Sequence, residues 1–333
     1  MTETDAKTTF TEPADFSALA SRAVQRHGFA PGARLHGFSL TENPTFRVEE
    51  DGHDAVVVRI YRPGGRPAVE IQSELAWMDA LRREAGVPVP EVLIASGEEE
   101  PLLDLGIPGA PVYAAVFAYV PGREPGDDEL PDLIDTFGEI TARMHRHARA
   151  WTPPAWFSRP RWDLSTTLGG RAHWGRWQRG VADPAAREQL ERLSAVVSRR
   201  LAAYGDGPGR FGLVHADLRA SNLLVDGDRL GVLDFDDAGF SWYLYDLAGT
   251  LTFSEGRDDL GELLDRWATA YRCVEELSAE DEREIETFLM LRRLLISAYV
   301  GLRPATELAA DLKAGGYDEE TCRLAEGYLS RFS

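Results

Sequence analysis

One segment constrains this chain more than any other. Residues 212–248 read GLVHADLRASNLLVDGDRLGVLDFDDAGFSWYLYDLA. His215, Ala216 and Asp217 come first, and Asn222 follows five residues after the aspartate. A short apolar run, Leu223-Leu224-Val225, leads into the turn Asp226-Gly227-Asp228. A second apolar run, Leu230-Gly231-Val232-Leu233, ends in Asp234-Phe235-Asp236. Two short apolar runs around an Asp-Gly turn predict a β-hairpin. A hairpin returns its end to its beginning, so Asn222 and Asp234 are expected close together with Asp217 in front. Oxygen ligands on two adjacent segments suit Mg²⁺, which keeps several waters and bridges substrate phosphates. A carboxylate beside them can accept the proton of a hydroxyl group.

The sequence around this segment divides by composition. Before about residue 120 the pattern is mostly strands. Arg34–Leu40, Thr45–Glu49, Ala55–Tyr61, Val92–Ala95 and Val112–Tyr119 are the five expected, and AVVVRIY at 55–61 is the strongest. Residues 13–28 predict a short helix closed by Gly28. A longer helix over 67–85 opens on Pro67 and buries Ile71, Leu75, Met78 and Leu81 at helical spacing. Pro121-Gly122-Arg123-Glu124-Pro125-Gly126 reads as a linker. Helices are expected over 129–148, 184–204, 258–274, 278–301 and, with breaks, 305–332; Ser278 and Asp281 have the spacing of a capping box. The fold class expected is therefore α+β, with residues 1–120 as a small antiparallel-sheet lobe and 121–333 as a mainly helical lobe.

The 212–248 segment resembles the catalytic region of the aminoglycoside phosphotransferase and choline kinase family. Within it, the chain looks similar to the type II homoserine kinase and bacterial stress-response kinase branch. The match continues upstream in E-N-x-x-x-R-V at 42–48, V-R-I-Y-R-P at 58–63, E-I-x-x-E-L-x-W at 70–77, V-P-V-P at 87–90 and F-x-Y-V-P-G-R at 117–123. It spans about residues 34–250. The resemblance implies a bilobal, protein-kinase-like fold and transfer of the γ-phosphate of ATP to an alcohol. It implies that Asp217 orients or deprotonates the acceptor hydroxyl, and that Asn222 and Asp234 bind Mg²⁺. Asp236 either joins the metal or touches a neighbouring loop. His215 is implied as a pin for the catalytic loop and Asp246 as its brace. The backbone of the hinge Phe117–Val120, through Ala118 and Val120, is implied to read adenine; Tyr119 there is either part of that site or core packing.

Two features depart from the family pattern. Arg59 stands on the third strand where kinases place a lysine, and the chain's only lysines are Lys7 and Lys313. Arg59 is therefore expected to grip the nucleotide phosphates, oriented by Glu74 or, one helical turn earlier, by Glu70. The turn around Asn43 stands where protein kinases have a glycine-rich loop, yet it has no glycine; its backbone N–H groups and small side chains are expected to cap phosphates. Five of eight tryptophans fall between residues 151 and 177. They either line a substrate pocket or staple this insert to the helical lobe.

Composition limits partners. The net charge of −19 opposes a nucleic-acid partner and is compatible with a cationic acceptor. The two cysteines, Cys273 and Cys322, have no zinc-ligand spacing. The N-terminal residues lack the basic start and apolar stretch of a secretory signal, and no apolar run approaches a membrane span. A cytoplasmic enzyme with a small hydroxylated substrate is expected. A protein serine/threonine kinase of the stress-response type is the alternative; a catalytically silent nucleotide-binding scaffold is another.

Overall fold

In a computed structural model, residues 13–39, 43–106, 111–227 and 229–332 are described. The chain divides into two units. The first comprises Met1–Arg123 together with Thr152–Arg159 and Leu223–Asp236; the second takes the remainder. A single cut after residue 120 thus differs from the observed division, because two later segments join the first unit. The DFD residues and the hairpin before them are among those segments.

The first unit is built on an antiparallel sheet. Its strands are β1 (Arg34–Ser39), β2 (Thr45–Glu49), β3 (Val56–Tyr61), β4 (Val92–Leu93), β5 (Leu103–Asp104) and β6 (Tyr113–Ala118), in the order β1-β2-β3-β6-β4, with β5 also on β6. Five strands were expected; the sixth is the two-residue β5, too short for a period-two pattern to register. Strand β3 lies at the centre, with Val56, Val58 and Ile60 on one face and Val57, Arg59 and Tyr61 on the other. Helix α1 (Pro13–Gln25) covers the first face, packing Phe16, Leu19, Ala20, Ala23 and Val24 against Val56, Val58, Ile60, Ala114 and Val116. Helix α2 (Ala68–Ala80) continues through a wider π turn over Leu81–Ala85 and ends on Gly86. The expected Ile71, Leu75, Met78 and Leu81 are all buried.

The later hairpin, β8 (Leu223–Asp226) with β9 (Arg229–Val232), pairs Leu223 with Val232 and Asp226 with Arg229. Asp228, the last residue of the expected turn, lies outside the described residues. Arg123 and Val225 exchange backbone hydrogen bonds of 3.1 and 2.8 Å, which straps the linker to β8. Gly122 is required there. Its φ is +141°, and a Cβ would stand 3.1 Å from Leu224 Cβ and Val225 O.

The second unit is mainly helical. It holds α3 (Leu130–Ala150), the single turn α4 (Leu164–Thr167), α5 (Pro184–Tyr204), α6 (Leu244–Thr250), α7 (Leu260–Arg272), α8 (Ala279–Leu302), α9 (Glu307–Ala314) and α10 (Tyr317–Phe332). The Ser278–Asp281 capping box forms: Ser278 Oγ accepts from Asp281 N at 3.1 Å, and Asp281 Oδ2 accepts from Ser278 N at 2.9 Å. Strands β7 (Phe211–Val214) and β10 (Gly239–Trp242) pair antiparallel and frame the catalytic segment. The sequence reading ran directly from the DFD residues to the helix of Asp246; β10 intervenes. Among the described residues, no helix is long and apolar enough to cross a membrane.

Candidate active site

The second unit carries the loop of His215, Asp217 and Asn222, the one expected to be catalytic. Leaving β7, the chain turns sharply, and Ala216 takes a φ of +68°, a conformation costly for a residue with a Cβ. Asp246, fully buried on α6, holds this turn: its Oδ1 accepts from Ala216 N at 2.7 Å and its Oδ2 from His215 N at 3.1 Å. Its Oδ2 also meets His145 Nε2 at 3.0 Å, and the other ring nitrogen meets Tyr271 Oη at 3.0 Å. Burial lowers the His145 pKa against the pull of Asp246. His215 is buried and its Nδ1 accepts from Asp217 N at 3.3 Å.

Asp217 is held on both oxygens. Asn222 Nδ2 donates to Asp217 Oδ2 at 3.0 Å and to Asp217 O at 2.8 Å. Arg219 Nε lies 3.3 Å from Oδ2, and Arg292 Nη2 donates to Oδ1. Burial pushes the Asp217 carboxyl upward, but Arg292, Arg219 and His215 outweigh it and hold the group below its ordinary value. Because the Asn222 amide nitrogen is committed to Asp217, its oxygen is the end left as an acceptor.

The first unit carries the residues around Arg59. Arg59 is not on an edge: β3 lies between β2 and β6, and the Arg59 side chain is 15% exposed. It donates to Glu74 Oε1 at 3.3 Å and to Asp234 Oδ1 at 2.7 Å. Of the two acids considered, Glu74 is thus its partner; Glu70 pairs with Arg66 at 3.4 Å. Burial works against the Arg59 charge, but Asp234 and Glu74 more than offset it and raise its pKa. Burial pushes the Glu74 carboxyl up to about 7, against Arg59 and then Arg159.

Asp234 itself has a φ of +59°. The two residues that follow the kink are held in place. Phe235 is fully buried and meets Trp77 edge-on at 5.7 Å. Arg159 donates to the carbonyls of Glu70, Phe235 and Asp236 at 2.9, 2.9 and 2.6 Å, and lies 3.7 Å from Glu74 Oε2. Asp236 Oδ1 meets Asn43 Nδ2 at 3.4 Å and Arg66 Nε at 3.3 Å. Asn43 therefore reaches the DFD segment; Thr41 and Glu42 of the same turn lie outside the described residues. At the expected hinge, the Ala118 N–H is taken by Glu91 O at 2.9 Å, and the Val120 side chain rests over Gly231. Tyr119 bonds Arg47 through its hydroxyl at 3.2 Å and stacks under that guanidinium at 4.1 Å.

The tryptophans of 151–177 serve different ends. Trp162 and Trp177 are buried, and Trp151 stacks on His147. Trp156, in the first unit, is exposed. Trp174 is half-buried against Trp162 and Tyr299, with Arg292 5.9 Å from its ring. Sequence reasoning missed three arginines at these sites: Arg159, Arg219 and Arg292. Arg219 sits two residues after Asp217 and was within reach of inspection. Arg159 had no local signal; Arg292 lies in the apolar run 289–296, which points to burial, but its pairing with Asp217 depends on a long-range contact.

Comparison with known proteins places the chain. The model of the phosphotransferase enzyme family (APH) matches residues 36–285. A solved structure of a microcompartment-associated aminopropanol kinase is similar over 95% of this chain and 98% of its own, with 39% identity and a TM-score of 0.85. An uncharacterized protein of Deinococcus radiodurans is 30% identical over 298 residues, 87% of this chain and 83% of that one. A structure of an amicoumacin kinase with AMP-PNP and Ca²⁺ shares the fold at 19% identity, covering 93% of each chain with a TM-score of 0.75. With a protein-kinase-like α+β fold and these relatives, the chain belongs to the phosphotransferase enzyme family and is a small-molecule kinase.

Proposed function

We propose that the protein transfers the γ-phosphoryl group of ATP to the hydroxyl of a small amino alcohol. The observation that carries the chemistry is the Asp217 carboxylate, ionised and held on both oxygens in a braced loop. The acceptor class is supported by the 39% identity with the aminopropanol kinase and by the net charge of −19, which favours a cationic amine. Aminoglycosides and hydroxylated amino acids are the neighbouring classes to be tested.

In this reading the acceptor hydroxyl hydrogen-bonds to Asp217. Its oxygen attacks the γ-phosphorus, and the bond to the β,γ-bridging oxygen breaks with its electron pair leaving on ADP. The hydroxyl proton passes to Asp217 and then to water. Arg59 grips the nucleotide phosphates while Glu74 and Arg159 fix its direction. Asn222 and Asp234 would hold Mg²⁺. Each offers an oxygen of the right chemistry: the Asn222 amide oxygen, left by its committed nitrogen, and the carboxylate of Asp234, whose side chain is 44% exposed. When bound, the cation neutralises phosphate charge. Asp236 stays with Asn43 and Arg66 and shapes the phosphate-capping turn. With the Ala118 N–H taken by Glu91 O, the Ala118 carbonyl and the Val120 backbone are the hinge groups assigned to adenine. The first unit is then the nucleotide-binding unit and the second the acceptor-binding one, in a cytoplasmic setting. The intact Asp217, Asn222 and Asp234 speak against a silent scaffold, and the chain from Asp236 to β10 at Gly239 has no room for an activation segment.

The test is an ADP-release assay with Mg²⁺ and ATP over aminopropanol, ethanolamine, homoserine and an aminoglycoside. Turnover greatest with an amino alcohol supports the proposal. Turnover only with a protein substrate, or none with any alcohol, contradicts it.

A further inference from the structure

Arg292 is 2% exposed, on a helix that begins 62 residues after Asp217. Burying a guanidinium is unfavourable unless each donor is matched. Here every guanidinium nitrogen has a partner, and four of the five N–H donors are matched. Nε gives to Thr252 Oγ1 at 3.0 Å, and Nη1 gives to Tyr245 Oη at 3.0 Å and Ala216 O at 3.3 Å. Nη2 gives to Asp217 Oδ1. The next residue, Arg293, is equally buried but pairs with Glu255 and Glu320. Among the described residues Asp217 is the one carboxylate with which Arg292 pairs. An apolar side chain would have filled the same space without this requirement.

We infer that Arg292 is a positioning residue for phosphoryl transfer, fixing Asp217 so that Oδ1 receives the acceptor hydroxyl. The inference rests on the reading of Asp217 given above. A carboxylate offers about four lone-pair directions. Oδ2 already takes Asn222 and faces Arg219, whereas Oδ1 takes Arg292 alone. One direction is left, and it is on Oδ1. Arg292 is itself aimed by Tyr245 on α6 and by Thr252, two residues past the end of that helix. The same helix supplies Asp246, which holds the backbone of the loop. One element therefore sets both the loop and the carboxylate on it. Phe253, just after Thr252, takes a φ of +70°, a backbone cost consistent with Thr252 being held to this contact.

The test compares Arg292→Ala, Arg292→Lys and the double variant Tyr245→Phe with Thr252→Val, each in the full chain with ATP and the best amino alcohol. The Ala variant is expected to lose about 100-fold in kcat with KM for ATP within about threefold. Guanidinium ion should restore at least about tenfold of that loss, and Lys should keep an intermediate rate. The double variant, which retains the charge, should lose about three- to tenfold in kcat, and it decides the matter if the Ala variant does not fold. The inference is overturned if kcat is unchanged in a folded Ala variant. It is likewise overturned if kcat, ATP KM and Tm all worsen together with no guanidinium rescue, or if the double variant has the wild-type kcat. Asp217→Asn separates the two readings: full activity there refutes the role of Asp217, while an inactive Asp217→Asn beside normal Arg292 variants refutes only that of Arg292.

Discussion

Replacing Arg59 by alanine tests the most unusual feature of the chain. Arg59 is 15% exposed and balances Glu74, which has no exposure, and Asp234, which is 44% exposed. Orphaning a buried charge costs about 3–5 kcal/mol. Glu74 keeps Arg159 at 3.7 Å, and the exposed Asp234 pair is screened, so a stability loss of about 2–3 kcal/mol is expected. The loss should also depend on pH. The Glu74 carboxyl rises from 4.5 to about 7 in the folded protein. A raised folded pKa means that the folded state binds the proton more tightly, so this contribution is full below 4.5 and lost as pH rises through about 7. Without Arg59 the folded pKa rises further, and the decline extends above about pH 7. Urea denaturation from about pH 5 to about pH 9 measures it, and adding Glu74→Gln should abolish the difference. On function, losing a shielded, charge-assisted phosphate contact should lower kcat/KM for ATP by about 2–4 kcal/mol, or roughly 30- to 1000-fold. Arg59→Lys should retain part of this, since the charge survives but the fork does not. Unchanged kcat/KM for ATP in Arg59→Ala, or a flat pH dependence of its destabilisation, would refute the reasoning.

Other outcomes follow from the same structure. Asp246→Asn should cost about 2–4 kcal/mol of stability in calorimetry and slow turnover, because one buried carboxylate holds two loop N–H groups and His145. Arg159→Met should weaken ATP turnover by about tenfold or more with modest loss of fold, since two carbonyls of the DFD segment and that of Glu70 on α2 lose their donor. Asp217, whose pKa is lowered, contributes stability above its unfolded value of 3.8 that disappears as pH falls through the folded value; Asp217→Asn should flatten the acid limb of the unfolding profile. Gly180→Ala should destabilise strongly in thermal melts, because a Cβ there would stand 1.9 Å from Ser297 O on α8.

Much of this was legible in the chain because the signals were local. The β-branched run at 55–61, the helical spacing of Ile71, Leu75, Met78 and Leu81, and the Ser278 cap each act over a few residues, and each formed. The Asp-Gly turn between β8 and β9 likewise fixed the hairpin that separates Asn222 from Asp234. Contacts made at long range left no such trace. Arg159 reaches Phe235 and Asp236 across 76 and 77 residues, and Arg292 reaches Asp217 across 75. The apolar run 289–296 marks Arg292 as buried but does not name its partner, and nothing in the neighbourhood of Arg159 names its own. The two-residue β5 is too short to alternate, and β10, Gly239–Trp242, carries a Gly and a Ser that weaken its strand signal. Tyr119 reads from the sequence as part of the adenine site or as core; its ring lies beneath Arg47, a contact with no local signal.

The most direct test is a single-turnover measurement with γ-labelled ATP, Mg²⁺ and an amino alcohol, following label into the phosphoester for the wild type and Asp217→Asn. The account predicts transfer by the wild type, and transfer slowed by about 100-fold or more in the variant while ATP still binds. Equal transfer by both proteins would contradict it.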